Sequence, residues 1–287
     1  MKTREELVNV YEKVIEELKD GYYTNYSGEE IPLINARIKS DSVMFSSEEL
    51  KNPVISENYF EDTKIYVQNI DSFLKAITMG PKSLVLNMAS ARNPGGGVHK
   101  GSRAQEEDLC RRSNLLLSLY SFSNKGKELN LRLPKRDLNY PIPTYGGIYS
   151  PSVLIYRKKD YTVYEDTYKT SVVSVAALVN PEFDQKTLMI DKSQIHIVKN
   201  KIKSIFRIAI LKGHTRLVLG AFGCGAFSNP PKHVALIFKE VLELPEFKHA
   251  FEEICFAILD DGNTGKLHNP EGNYKPFLDV FGDGTSK

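Results

Sequence analysis

Two adjacent glutamates, Glu106 and Glu107, follow Gln105 in the stretch NPGGGVHKGSRAQEED, which covers positions 93–108 and also holds Gly95, Gly96 and Gly97. Neighbouring carboxyl groups raise one another's pKa, and a nearby phosphate adds to the effect. One of the pair can then act as a general acid near neutral pH. Each ordered glycine costs roughly 0.5–1 kcal/mol relative to alanine, so three together imply a backbone that comes very close to something. The plainer reading is a tight turn, followed by two acidic residues that favour a helix N-terminus through its dipole.

A second glycine loop, GCGAFSNPP, begins at Gly223 and includes Cys224, Gly225, Ala226 and Phe227. Both loops follow apolar runs that read as strands. Strand, glycine loop, helix is an arrangement that binds phosphate through backbone N–H groups, and two such loops at strand ends can share one pyrophosphate. The standard nucleotide motifs are missing. After Gly96 and Gly101 comes Ser102 rather than lysine, and Ser228 stands where a dinucleotide fingerprint needs glycine. Spacing alone therefore suggests a phosphate ligand without naming it, and two simple turns remain the alternative.

The elements that must position these loops alternate. Thr3 and Glu6 have capping-box spacing ahead of a helix carrying Leu7, Tyr11, Val14, Ile15 and Leu18 on one face. Positions 21–60 are mixed and polar. From Lys64 onward, TKIYVQN and SLVLNMAS read as strands, separated by the helix DSFLKAITM with Asp71 at its cap. QEEDLCRRSNLLLSLY reads as one helix, and PSVLIYR, SVVSVAALV and QIHIV as strands. The helix NKIKSIFRIAILKGH, the strand TRLVLGAF, the helix KHVALIFKEVLEL and the strand EICFAILD complete the pattern. Such alternation predicts a layered α/β sheet. We divide the chain into an N-terminal extension over 1–62 and a catalytic domain over 63–287.

Bulk properties exclude several classes. The 287 residues carry a net charge of +2, which gives no general argument for nucleic acid. Three scattered cysteines, Cys110, Cys224 and Cys255, form no disulfide framework and suggest a reducing compartment. The charged start is unlike a signal peptide, and no apolar run approaches the ~20 residues of a membrane span. A soluble intracellular monomer with no membrane association is expected. Cys110 falls on an apolar helical position and reads as a small core residue. The six histidines show no metal spacing, so no metal and no cofactor is expected.

The combination of LNMAS, NPGGG and RAQEEDLCRRS, with VLGAFGCGAFSNPP downstream and YSPSVLIYR between them, resembles the bacterial-type poly(ADP-ribose) glycohydrolases of the macrodomain superfamily. The resemblance runs from about Thr63 to Asp260. It implies a three-layer α/β/α macrodomain with a mixed central sheet, binding ADP-ribose or poly(ADP-ribose) on modified macromolecules. Residue by residue, it makes Glu107 the catalytic glutamate, Glu106 the neighbour that holds a ribose hydroxyl, and Gln105 their support. Gly95, Gly96, Gly97 and Val98 bring backbone to the diphosphate and distal ribose, while Gly223, Cys224, Gly225, Ala226 and Phe227 form the opposite clamp. Ser90 stands where many macrodomains carry an asparagine that touches the distal ribose, with Asn87 or Asn93 as substitutes. The implied reaction hydrolyses a ribose–ribose O-glycosidic bond. A mono(ADP-ribosyl) hydrolase and a non-catalytic ADP-ribose reader are the alternatives, and the intact Gln105-Glu106-Glu107 speaks against the reader.

Overall fold

The computed structural model describes residues 2–131 and 139–284. Helix α1 (Arg4–Asp20) leads into a small hairpin, β1 (Tyr22–Thr24) with β2 (Glu30–Pro32), then α2 (Ala36–Ser40) and β3 (Val43–Phe45). There follow β4 (Lys64–Gln68), α3 (Ser72–Met79), β5 (Ser83–Met88), α4 (Gln105–Arg112) and α5 (Leu115–Ser121). The long strands β6 (Gly147–Arg157) and β7 (Val163–Val175) come next. Helix α6 (Lys192–Leu211), β8 (Arg216–Leu219), α7 (Pro231–Leu242), β9 (Glu253–Ala257) and α8 (Tyr274–Phe281) end the chain.

Seven strands form one mixed sheet in the order β3-β6-β7-β5-β8-β9-β4. Strands β7, β5, β8, β9 and β4 run parallel, while β6 is antiparallel to both β7 and β3. A parallel strand covered on both faces reads as a continuous apolar run, which is why SLVLNM carries no alternation. The structure separates its two faces. Leu84 and Leu86 of β5, Leu217 and Leu219 of β8, and Ile254 and Phe256 of β9 pack against α6, α7 and α8. Val85, Val218 and Cys255 point the other way, into a second core built with α1, α3, α4 and α5. The result is the three-layer α/β/α arrangement.

Local departures from the sequence reading have identifiable causes. QIHIV is not a strand but the first turns of α6. Asp191 caps that helix through the Ser193 N–H, and Ile195, Val198, Ile202 and Ile205 continue a single helical stripe. SVVSVAALV leaves the sheet after Val175, because residues 176–179 turn toward the second glycine loop, where the Leu178 carbonyl accepts from Asn229. The helix expected over 105–120 is two helices. Ser113 is extended (φ −148°, ψ 173°), and its hydroxyl caps the Leu109 carbonyl. Asn114 exchanges hydrogen bonds with Leu154 of β6 and donates to Leu33. Two side chains that compete for backbone groups have diverted the chain from a continuous helix.

One buried cation fixes the angle between α3 and α4. Arg112 is 1% exposed and places Nη1 at 2.8 Å from Asp71 and 2.9 Å from Asp108. Its Nε donates to the Arg157 carbonyl, and Tyr161 donates to Asp108. Asp71 also caps α3 through Leu74. Burial pushes the Asp71 carboxyl up, but the charge and hydrogen bonds of Arg112 more than offset this and hold it below the usual value. Arg112→Met strands two carboxylates with the half-exposed Lys159 as their remaining cation. We expect a loss of about 3–5 kcal/mol in urea unfolding near neutral pH. A depressed carboxyl contributes stability that is present above its unfolded pKa and lost as pH falls through its folded one. The gap between parent and variant should therefore narrow in acid.

Candidate active site

The C-terminal ends of β4, β5, β8 and β9 open onto one cavity of about 460 Å³, which is within the usual range for a small-ligand site. Ligands in parallel sheets bind at this edge because the loops there belong to neighbouring strands. β5 leads into the first glycine loop and α4, and β8 leads into the second loop and α7.

The first loop closes around the carboxyl pair. Gly96 has φ +57°, and a Cβ at that position would lie 2.5 Å from Glu107 Oε1 and 3.0 Å from Glu106 Oε2. Both carboxyl groups therefore converge on one bare α-carbon. The Gly97 N–H donates to Glu107 Oε1 at 2.8 Å, and the Ser90 N–H donates to Glu106 Oε2 at 2.7 Å. Asn87 Nδ2 lies 3.5 Å from Glu106 Oε1 and donates to Ser174 at 3.0 Å. Of the four carboxyl oxygens, Glu107 Oε2 alone has no hydrogen-bond partner among the described residues. Gln105 anchors α4 to the strand, accepting from the Met88 N–H at 2.8 Å and donating to the Leu86 carbonyl at 2.7 Å.

Burial pushes the Glu106 carboxyl up, to about 8. The charge of Glu107 adds to this, while hydrogen bonds from Ser90 and Asn87 act against it.

A side-chain amide braces the second loop. Asn229 Nδ2 donates to the carbonyls of Leu178, Gly223 and Phe227 at 2.7, 3.1 and 3.1 Å. His268 Nε2 lies 3.0 Å from the Cys224 carbonyl. Gly223, Gly225, Ala226 and Phe227 line the cavity opposite Ser90, Gly96, Gln105, Glu106 and Glu107.

The family model for the catalytic domain of microbial-type PARG matches residues 12–158. The chain belongs to the microbial-type PARG family. Its activity is that of a poly(ADP-ribose) glycohydrolase, a glycosidase. The PARG of Thermomonospora curvata superposes with a TM-score of 0.78 at 25% identity, covering 96% of this chain and 100% of that one. The same enzyme bound to the inhibitor ADP-HPD gives 0.75 at 26% identity, covering 96% and 99%. The Deinococcus radiodurans PARG in complex with ADP-ribose gives 0.65 at 28% identity, covering 86% and 97%. No curated protein sequence matches this chain. The PARG family match takes in the carboxyl pair and first loop, and ends before the second.

Not every expected residue faces the cavity. The side chains of Val98 and Cys224 are fully buried in opposite cores, so those positions can meet a ligand through backbone alone. Asn93 is exposed and does not line the cavity, while Asn87 sits beneath Glu106. Gly95 packs over Leu116 and Cys110, and Cys110 is a buried core residue. Sequence reasoning missed the far wall: Ile70, Ala257, Ile258 and Leu259 from the ends of β4 and β9, with Asn263 and Asn273 beyond them. Their positions just past apolar strands are the sequence feature that could have pointed to them.

Gly96→Ala should abolish measurable hydrolysis of poly(ADP-ribose) while leaving far-UV circular dichroism unchanged. The new methyl displaces both carboxyl groups and occupies a positive-φ position. A second expectation concerns pH. The folded Glu106 carboxyl keeps its proton up to about 8, against an ordinary value of 4.5. The unfolded chain binds fewer protons between those values, so this carboxyl lowers stability progressively as pH rises through that window. Glu106→Gln removes the titration, and its melting temperature should fall less steeply than the parent's from acid to pH 9.

Proposed function

We propose that Glu107 is the acid and base of hydrolysis, and that the two glycine loops hold the diphosphate of an ADP-ribose unit between them. The observation that carries the assignment is Glu107 Oε2, a buried oxygen without a hydrogen-bond partner among the described residues, on a residue that lines the cavity. Glu106 spends both oxygens on Ser90 and Asn87, whereas a proton on Glu107 Oε2 has no acceptor until a ligand supplies one. Glu107 Oε2–H donates to the leaving ribose oxygen as the glycosidic bond breaks. The anomeric carbon becomes oxocarbenium-like, with the substrate's diphosphate close enough to offset its charge. A water then attacks and gives its proton to Glu107, which restores the starting state. Glu106 receives a ribose hydroxyl and orients the sugar. One carboxyl serves both halves of the reaction, so the pair does not need the separation across the bond seen in ordinary glycosidases.

The second loop and the wall of Ile70, Ile258 and Leu259 complete a pocket long enough for the nucleotide end of the same unit. ADP-ribose and poly(ADP-ribose) on modified macromolecules are the proposed ligands. Chromatography of products from purified poly(ADP-ribose) and from a mono(ADP-ribosyl)ated protein distinguishes the polymer-cleaving reading from mono(ADP-ribosyl) removal.

Glu107→Gln keeps the size of the side chain and cannot shuttle a proton. General acid–base catalysis is worth about 10²–10⁴-fold, and with two steps resting on one group the single-turnover rate should fall at the upper end of that range. Calorimetry should find ADP-ribose affinity nearly unchanged. Near-parental hydrolysis by this variant would remove Glu107 from the mechanism.

A further inference from the structure

The face of α4 that carries Glu107 also carries Arg111, one turn further on. Arg111 is 0% exposed, and its guanidinium reaches three separate pieces of chain. Nε donates to the Leu7 carbonyl of α1 at 3.1 Å. Nη2 donates to the carbonyls of Val98 at 3.1 Å and Ser102 at 2.7 Å, which lie on either side of the last turn of the first glycine loop. All three acceptors are backbone carbonyls. Burying a cation against neutral acceptors costs free energy, and what this arrangement supplies is direction. A planar fork fixes the loop relative to the helix that bears the carboxyl pair.

The first helix closes the same loop from outside. Arg103 Nη2 donates to the Lys2 carbonyl at 2.7 Å. The Gly101 α-carbon lies against the Arg4 carbonyl, with no space for a Cβ between them. The Gly97 N–H that holds Glu107 Oε1 therefore belongs to a segment tied down at Val98 and Ser102 by Arg111, at Gly101 by α1, and at Arg103 by Lys2 just ahead of that helix. Arg111 is not part of the cavity wall and cannot touch a ligand there.

We propose that Arg111 is a positioning residue for hydrolysis: it fastens α1 to the glycine loop and thereby holds the Gly97 amide on Glu107. The first helix is then part of the catalytic apparatus. This rests on the assignment of Glu107 for its kinetic consequence, but not for its geometry.

The test uses the full chain with Arg111→Met, which keeps an unbranched apolar stem and removes every donor, and Arg111→Lys, which returns the charge as a point ammonium without the planar fork. Misplacing a catalytic group by about 1 Å can cost on the order of 10²-fold. We therefore expect kcat on poly(ADP-ribose) to fall at least about tenfold in Arg111→Met and less in Arg111→Lys. ADP-ribose affinity should fall much less than kcat in both, because the second loop is untouched. Backbone amides over 95–103 should exchange hydrogen faster than in the parent, most of all in Arg111→Met. If Arg111→Met does not fold, the same readouts on Arg111→Lys carry the test. The proposal is overturned if kcat is unchanged, if ADP-ribose affinity falls in step with kcat, or if exchange over 95–103 matches the parent. A parent that releases no ADP-ribose from polymer would refute the functional reading, and the exchange arm would still decide whether Arg111 holds the loop.

Discussion

The carboxyl groups of Glu106 and Glu107 press against the α-carbon of Gly96, and each is held by one backbone amide on a different side of the same loop. That contact leaves no room for a side chain at Gly96, and the loop cannot relax away without releasing a carboxyl. Two like charges in a buried site repel, and the arrangement survives because burial keeps a proton on Glu106 and the hydrogen bonds come from backbone that cannot reorient. The surrounding structure serves this constraint. Gln105 fastens the start of α4 to β5, Arg112 fixes α4 against α3, and Arg111 closes the loop over α1.

The second loop meets a weaker demand with a simpler device. It carries no charge to stabilise and needs only to present backbone. An asparagine amide, spread over three carbonyls, braces it, with His268 on the Cys224 carbonyl. The two loops leave adjacent strands, β5 and β8, and their side chains enter opposite cores: Val98 joins the helices on one face and Cys224 those on the other. The cavity is the seam where the two layers part.

Much of this was legible in the sequence, because the chemistry is concentrated in short stretches. Three glycines before Gln105-Glu106-Glu107 located the carboxyl pair, and apolar runs located β5, β8 and β9. What escaped was non-local. QIHIV has the β-branched content of a strand, and only the continuation of its apolar stripe into Ile202 and Ile205 makes it helix. Ser113 and Asn114 look tolerable inside a helix until β6 offers them partners. The far wall of the cavity carries no motif, since Ile258 and Leu259 become a surface only by lying past the end of β9. Arg111 resembles any arginine on a polar helix, and its burial depends on α1, about a hundred residues earlier in the chain.

Among the described residues strand β4 pairs with β9 alone, so there residues 64–68 have no sheet partner until residues 253–257 exist. The Val67 N–H donates to the Gly282 carbonyl, more distant still in sequence. During synthesis, the edge that carries Ile70 and Asp71 must wait as an unpaired strand while almost two hundred further residues are made. Contacts this distant in sequence form late, because loop closure must come first. The carboxyl pair and its glycine loop are therefore translated long before the opposite wall arrives. An unfinished chain holds an acid with nothing to position against it, and competence waits for strands made long after the acid itself.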